Sequence, residues 1–507
     1  MTAAAALAAA PVVAILVLML ALGWSAARAG LAALALAAVL AYAAFDFGAA
    51  SAAALAAAFG GVAAEAAFLS ATILWILWPA LALHAHQQRV GAIDALRAGL
   101  ARLTDRPALQ ALLVGWFVAL FLEGAAGFGT PIALAAPLLV GLGVPPLQAV
   151  VLALLGHAAG VSFGALGTPV LAQVGLTGLD GGEIAWRTAL LHAVLGPLLM
   201  LFFVRALAAG GQVPGMVWPA LAAAGFLLPA LALAALLGPE LATLGAALVG
   251  GALFAWALRL QAPAAQRAPA DGLLRALAPY ALLVALVLLT RALPPLAELL
   301  GEVRLRWSLG PDEGGGSRFG GSLQPLTHPG TLLFAALVGG VLWQRVPLRD
   351  LRPALADAAR RLLPVSVALL AMLALSRLML HAGMIDALQQ AAVQGLGGAW
   401  PLLAPALGAL GSFVTGSATA SNVLFTTLQV QTAEALALPA TALAAAQGFG
   451  AAVGNIVCPH NIVAGAATVG LAGREAQILQ RTLGPCLLYV AAGGVLLALL
   501  LAGPWAG

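Results

Sequence analysis

Lysine is absent from this chain, cysteine occurs only twice, and charged residues make up 8% of its 507 positions. Each scarcity excludes something. With 63% hydrophobic residues and a mean hydropathy of +1.05, the chain has too little charge to cover a soluble globule. Cys458 and Cys486 show no paired spacing, which argues against a disulfide framework and a four-ligand zinc site. Without lysine the glycine-rich stretches cannot form a phosphate-binding loop, and no HExxH pattern occurs. The net charge of +4 comes from arginines that fall mostly between apolar runs, where the positive-inside rule explains them and a nucleic-acid partner is not needed.

What is present is a series of apolar runs, at 5–23, 31–49, 62–83, 108–122, 132–144, 147–166, 188–208, 217–237, 240–258, 276–297, 331–343, 362–380, 399–414, 421–436, 438–454 and 485–503. Runs of roughly 20 residues suit helices crossing ~30 Å of hydrocarbon, and none alternates as a barrel strand would. The expected class is an all-α polytopic membrane protein with membrane lipid as its surroundings. The first run lacks a basic head and "ARAG" (27–30) imitates a cleavage site only weakly, so it reads as a first span.

Arginine clusters at 89–106, 259–275 and 345–361 read as cytoplasmic connections. Two such loops require an even number of crossings between them. Between 106 and 259 the count is odd if 108–144 is one broken crossing, so a segment near 124–131 is expected to enter the membrane and turn back. The segment 301–330 then lies outside as a flexible glycine-rich connection. Asp46 reads as a span terminus, and nothing near Glu65 points to a site.

Helix breaks recur in both halves: "EGAAGFGTP" (123–131), "GALGTP" (164–169), "TGSATASN" (415–422) and "GNIVCPHN" (454–461). At an offset of 290, Gly160, Gly164, Pro169 and Gly175 fall on Gly450, Gly454, Pro459 and Gly465, while Gly127 and Pro131 fall on Ser417 and Ser421. This predicts two inverted repeats with re-entrant or broken helical hairpins, an N-terminal half 1–258 and a C-terminal half 259–507. Lipid cannot satisfy the backbone groups freed at a break, so such backbone is buried in protein or lines a watered cavity. Half-helix N-termini suit a carboxylate. The candidate substrate-binding set is Gly127, Gly129, Thr130, Thr168, Ser417, Thr419, Ser421, Asn422, Asn455, His460 and Asn461, with close helix packing as the alternative use of the small residues.

Glu123 is a different matter. An ionised carboxylate at a helix centre costs ~2.5 kcal/mol or more, and intramembrane acids mark ion or proton paths. It is a candidate proton carrier; the competing reading is a carboxylate capping the turn that follows. His460 ranks above His157 as a second titratable candidate because it follows a break. Arg377 reads as snorkelling to an interface with His381, with pairing to a substrate carboxylate as the other reading. No cofactor and no metal is implied.

The stretches "FLEGAAGFGTPIALAAPLLVGLG" (121–143), "GALGTPVLAQVGLTGLD" (164–180), "GSFVTGSATASNVLFTTLQ" (411–429) and "AAVGNIVCPHNIVAGAATVGLAGREA" (451–476) closely resemble the lactate permease family, in the same order. The resemblance implies a bacterial inner-membrane, multi-pass permease importing lactate, often glycolate too, by proton symport. It also departs from the family: Ala418 and Ala420 stand where relatives usually have Asp and Ser. Asn455, His460 and Asn461 stand where a Lys and a Gln-Ser pair are common. The expected partners are a small 2-hydroxy monocarboxylate and a proton, with a homodimer allowed. The competing readings are a passive channel or uniporter for small anions or other organic acids, and a membrane-embedded enzyme, which no metal-ligand spacing supports.

Overall fold

The structure is a computed structural model that describes residues 3–92, 95, 103–127, 129–211, 213–261, 273–311, 317–471, 474–503 and 505. Among the described residues, 11 helices are long and apolar enough to cross a membrane. Helices α1 (Ala3–Leu20) and α2 (Ala26–Ala44) open the chain, and α3 (Ala52–Arg89) is the longest. The small buried residues Ala29, Ala33, Ala37 and Ala41 repeat every four positions along one face of α2, which lets another helix approach closely.

The polar segment 345–361 is not a loop. From Leu351 it forms the first turns of α14 (Leu351–His381). The reason is a stripe at helical spacing: Leu351, Ala354, Ala358 and Leu362 are buried although arginines flank them. Helices α3 and α14 pack against each other, and at one end Arg89 pairs with Asp357, which Arg360 also contacts. Two residues before Arg89, Gln87 Oε1 accepts from Gln344 Nε2 at 2.8 Å, and the Gln344 carbonyl accepts from the Arg275 guanidinium. All three arginine clusters thus touch one end of the bundle. Most of the first two clusters, 93–94, 96–102 and 262–272, lies outside the described residues.

At the other end the expected flexible connection is a β-hairpin, β1 (Leu305–Pro311) antiparallel to β2 (Ser317–Leu323). Gly321 of β2 serves close approach rather than mobility. A Cβ on Gly321 would meet the Phe68 ring at 2.6 Å, and one on Gly61 of α3 would run into Phe319. Trp307 packs edge-on against Phe68 with 5.7 Å between ring centres.

This end also overturns one expectation from sequence. Glu65 is buried, and its carboxylate receives the Gly320 N–H at 3.1 Å, lies 2.8 Å from His381 Nε2 and 3.7 Å from Arg377 Nε. Arg377 does not snorkel: it is buried and donates to the Gly175 carbonyl at 3.0 Å. A buried charge requires an opposite charge and hydrogen bonds, and the partners of Glu65 lie far away in sequence.

Helices α4 (Pro107–Ala125), α5 (Thr130–Gly141), α6 (Pro146–His157), α7 (Gly164–Thr177) and α8 (Gly181–Ala209) follow α3, with a π segment Leu113–Val118 inside α4 and a 3-10 turn Ala158–Phe163 before α7. Next come α9 (Val217–Leu237), α10 (Ala242–Gln261), α11 (Leu273–Ala292), the short α12 (Pro294–Gly301) and α13 (Pro329–Trp343), which leads to α14. The last third comprises α15 (Met384–Leu396), α16 (Trp400–Thr415), α17 (Ala418–Ala435), α18 (Ala440–Gly454), α19 (Pro459–Thr468) and α20 (Glu475–Leu501). Helix α15 has no counterpart among the apolar runs.

Candidate functional site

Four segments interrupt helices where the sequence places glycine, proline and serine. After α4 the chain turns through Gly127 (φ 59°) and Gly129 (φ 74°) in the left-handed region, then restarts at Thr130–Pro131. Before Pro169 three successive residues are left-handed, Ala165 (φ 42°), Leu166 (φ 54°) and Gly167 (φ 75°). Two of these carry side chains, at a cost of roughly 1–2 kcal/mol each, so the surrounding packing holds the turn in place. Gly416 (φ 77°) ends α16, and Ser417 caps α17, its Oγ accepting the Ala420 N–H at 3.3 Å. Asn455 to Cys458 bridge α18 and α19 by a tight turn, with Pro459 starting the new helix.

These segments come from positions far apart in the chain, yet they meet. A cavity of about 40 Å3 is lined by Glu123, Gly127 and Gly129 from the first break and by Gly164, Ala165, Thr168 and Pro169 from the second. Gly416, Ser417, Ala418 and Thr419 line it from the third, and Asn455 from the fourth. That volume is several times the roughly 10–15 Å3 a single water needs. Restarted helices at Thr168, Ser417 and Gly129 present their N-terminal ends here, where unpaired N–H groups favour negative charge.

Glu123 is buried, at 5% exposure, and pairs with no arginine or histidine among the described residues. A Cβ on Gly164 would fall on its Oε1, and one on Gly127 would lie 3.5 Å from the same oxygen. Gly164 therefore makes the space the carboxylate occupies, and Gly127 lies in van der Waals contact beside it. Gly164→Ala would keep the fold, because the carboxylate end of a flexible side chain can swing aside, but Glu123 would leave its seat. We predict a transport loss on the order of tenfold to a hundredfold with an unchanged melting temperature; wild-type transport in that variant would refute this placement.

The remaining sequence candidates divide. Asn455 Nδ2 donates to Ser412 Oγ at 3.0 Å, and Asn461 Nδ2 donates to Asn455 Oδ1, so Asn461 stands behind the cavity wall and positions it. Its Oδ1 lies 3.3 Å from where a Cβ on Gly129 would be. Thr168 Oγ1 donates to the Ala165 carbonyl at 2.6 Å and braces the left-handed turn. Ser421 Oγ donates to the Gly408 carbonyl at 2.7 Å and Asn422 Nδ2 to the Pro169 carbonyl at 3.1 Å, which ties them into helix packing rather than the cavity lining. His157 is buried with Nδ1 2.6 Å from the Ala153 carbonyl of its own helix, away from the lining. His460 is exposed beside Gly416. The Thr130 side chain lies outside the described residues.

Sequence reasoning missed Val161, an apolar residue of the 3-10 turn that also lines the cavity, and Ser412, which orients Asn455. Neither carries a local signal. A polar seam beside the cavity was equally hidden: Ser162 Oγ lies 2.9 Å from His192 Nε2 and donates to the Gly448 carbonyl at 3.2 Å. Residues 160–164 spell "GVSFG", but Ser162 sits in a buried 3-10 turn with no strand before it, so the serine joins helices and is no nucleophile elbow.

Helix breaks that meet around a buried polar cavity, inside a bundle of spanning helices, define a membrane transport protein. The L-lactate permease family matches residues 4–308 and 320–502, and the chain belongs to that family. It is 29% identical over 467 residues to an L-lactate permease of Salmonella typhimurium (strain LT2), covering 84% of each chain. It is also 29% identical over 473 residues to a glycolate permease of Escherichia coli (strain K12), covering 84% of this chain and 83% of that one. An L-lactate permease of Bacillus subtilis (strain 168) is 27% identical over 478 residues. Among solved structures, the YdaH transporter of Alcanivorax borkumensis shares the fold, with a TM-score of 0.53, 18% identity and 90% of each chain covered. The chain is thus a multi-pass membrane protein of a permease family, not an enzyme.

Proposed function

We propose that this protein is a secondary active transporter that imports a small 2-hydroxy monocarboxylate, L-lactate, D-lactate or glycolate, by proton symport across the bacterial inner membrane. The observation that carries the reading is the convergence of all four breaks on one cavity holding a buried carboxylate that has no cation partner among the described residues. The relatives named for L-lactate and glycolate support the substrate class. In this reading the two halves, 1–258 and 259–507, are inverted repeats, each contributing one pair of broken helices. The substrate carboxylate meets helix N-termini, the one at Thr168 among them, and the hydroxyls of Ser417 and Thr419, with Asn455 completing its hydrogen bonding. Glu123 carries the coupled proton: when protonated it leaves the cavity without a fixed negative charge and admits an anion, and when ionised it repels one.

Purified protein in liposomes tests this. Uptake of labelled lactate or glycolate should saturate, show counterflow, and rise when an inward proton gradient is imposed. Uptake indifferent to the gradient would remove the coupling, and flux that never saturates would make the protein a pore.

A further inference from the structure

A second cavity, of about 300 Å3, lies apart from the four breaks, between α4, α10 and α11. Its walls are apolar, including Phe117 and Phe121 of α4 and Leu248, Ala252 and Trp256 of α10, and at one end stands Arg259. Arg259 belongs to the last turn of α10, and its buried Nε has no hydrogen-bond partner. No acid pairs with it among the described residues, whereas Arg89 pairs with Asp357 and Arg275 donates to a carbonyl. Among the described residues Arg259 is therefore a cation with unused hydrogen-bonding capacity at the end of an apolar groove.

The dimensions and setting point to one kind of occupant. From Leu248 to Arg259 the helix rises about 16 Å at 1.5 Å per residue, close to one leaflet's share of the ~30 Å hydrocarbon core. The neighbouring face of α10 turns Val249, Leu253, Trp256 and Leu260 outward, an apolar surface that only lipid covers comfortably. Trp256 stands one turn from Arg259, the arrangement of an interfacial aromatic beside a headgroup. The guanidinium offers planar paired donors to a phosphate, and basic pockets between spanning helices hold anionic headgroups.

We propose that this groove is a binding site for an anionic phospholipid, with one acyl chain against Phe117, Phe121 and Leu248 and the phosphodiester on Arg259. The site is independent of the transport reading, so its failure would leave that reading untouched. The test uses the full-length protein in detergent, with native mass spectrometry for retained lipid and thermal unfolding for stabilisation. The probes are phosphatidylglycerol, phosphatidylcholine, palmitate and inorganic phosphate.

Phosphatidylglycerol is expected to be retained over phosphatidylcholine by about fivefold, the factor one arginine supplies near an anionic surface, and to raise the melting temperature. Arg259→Gln should erase that preference while still retaining lipid, and Ala252→Trp, which fills the groove mouth, should lose retention of both lipids. Both variants should melt like wild type without added lipid. A wild-type preference for phosphatidylglycerol persisting in Arg259→Gln, undiminished retention in Ala252→Trp, or stabilisation by palmitate or inorganic phosphate equal to that by phosphatidylglycerol would each overturn the proposal.

Discussion

Replacing Glu123 by Gln is expected to abolish proton-driven accumulation of lactate or glycolate in proteoliposomes while leaving exchange of labelled for unlabelled substrate intact. Gln keeps the size and shape of the side chain, so the seat beside Gly164 stays filled. What it removes is the ability to release a proton. Among the described residues no other acid lines the cavity, where Ala418 stands beside Ser417 and Thr419, so none of them is placed to take over. For one-proton coupling, a gradient of one pH unit supports about tenfold accumulation, since 1.4 kcal/mol is a factor of ten. The variant should equilibrate substrate without concentrating it. Accumulation at the wild-type ratio would make Glu123 a structural cap of the turn at 124–129.

Arg377→Ala should produce the largest loss of stability. The variant leaves Glu65 buried beside His381 and the hairpin with its strong cation gone, and breaking a buried ion pair on one side costs about 3–5 kcal/mol. Thermal or denaturant unfolding of the purified protein checks this. The double variant Glu65→Gln with Arg377→Met should recover much of the loss, because no uncompensated charge is left in place. Additive losses in the double variant, or a shift in Arg377→Ala below about 1 kcal/mol, the range of an exposed pair, would refute the assignment. Since Gly320 of the hairpin also bonds to Glu65, protease cleavage within 305–323 should quicken in Arg377→Ala.

Much of the architecture was legible before the structure. The run 217–237 coincides with α9, and the other long spans match apart from their ends. The ends failed where polar residues ride on a buried stripe, as in α14, whose first turns look like a charged loop until Leu351, Ala354 and Ala358 are seen packed. The hairpin failed for a related reason: glycine marks both a loose linker and a close approach, and only Phe68 and Phe319 across the contact tell them apart.

Of the candidate site, Glu123, Gly127, Gly129, Thr168, Ser417, Thr419 and Asn455 line the cavity, while Ser421, Asn422 and His157 bond within the helix packing. Local composition identifies a break in a helix but not the direction in which its side chains turn. Ser417 and Ser421 share one motif, yet one caps a helix at the cavity and the other satisfies a carbonyl on α16.

The amino-acid sequence by itself determined that this protein lies in a membrane as a bundle of helices, that four of its segments break, and that Glu123 sits beside the first of them. These follow from local rules: lipid leaves the backbone no partner but its own chain, and glycine and proline interrupt a helix wherever they cluster. Only the tertiary structure decided that the four breaks share one cavity, that Glu65 and Arg377 answer each other, and that Arg259 closes an apolar groove. Those pairings join positions dozens to hundreds of residues apart, and the energy of a buried charge depends on the groups packed around it, not on its neighbours in the chain.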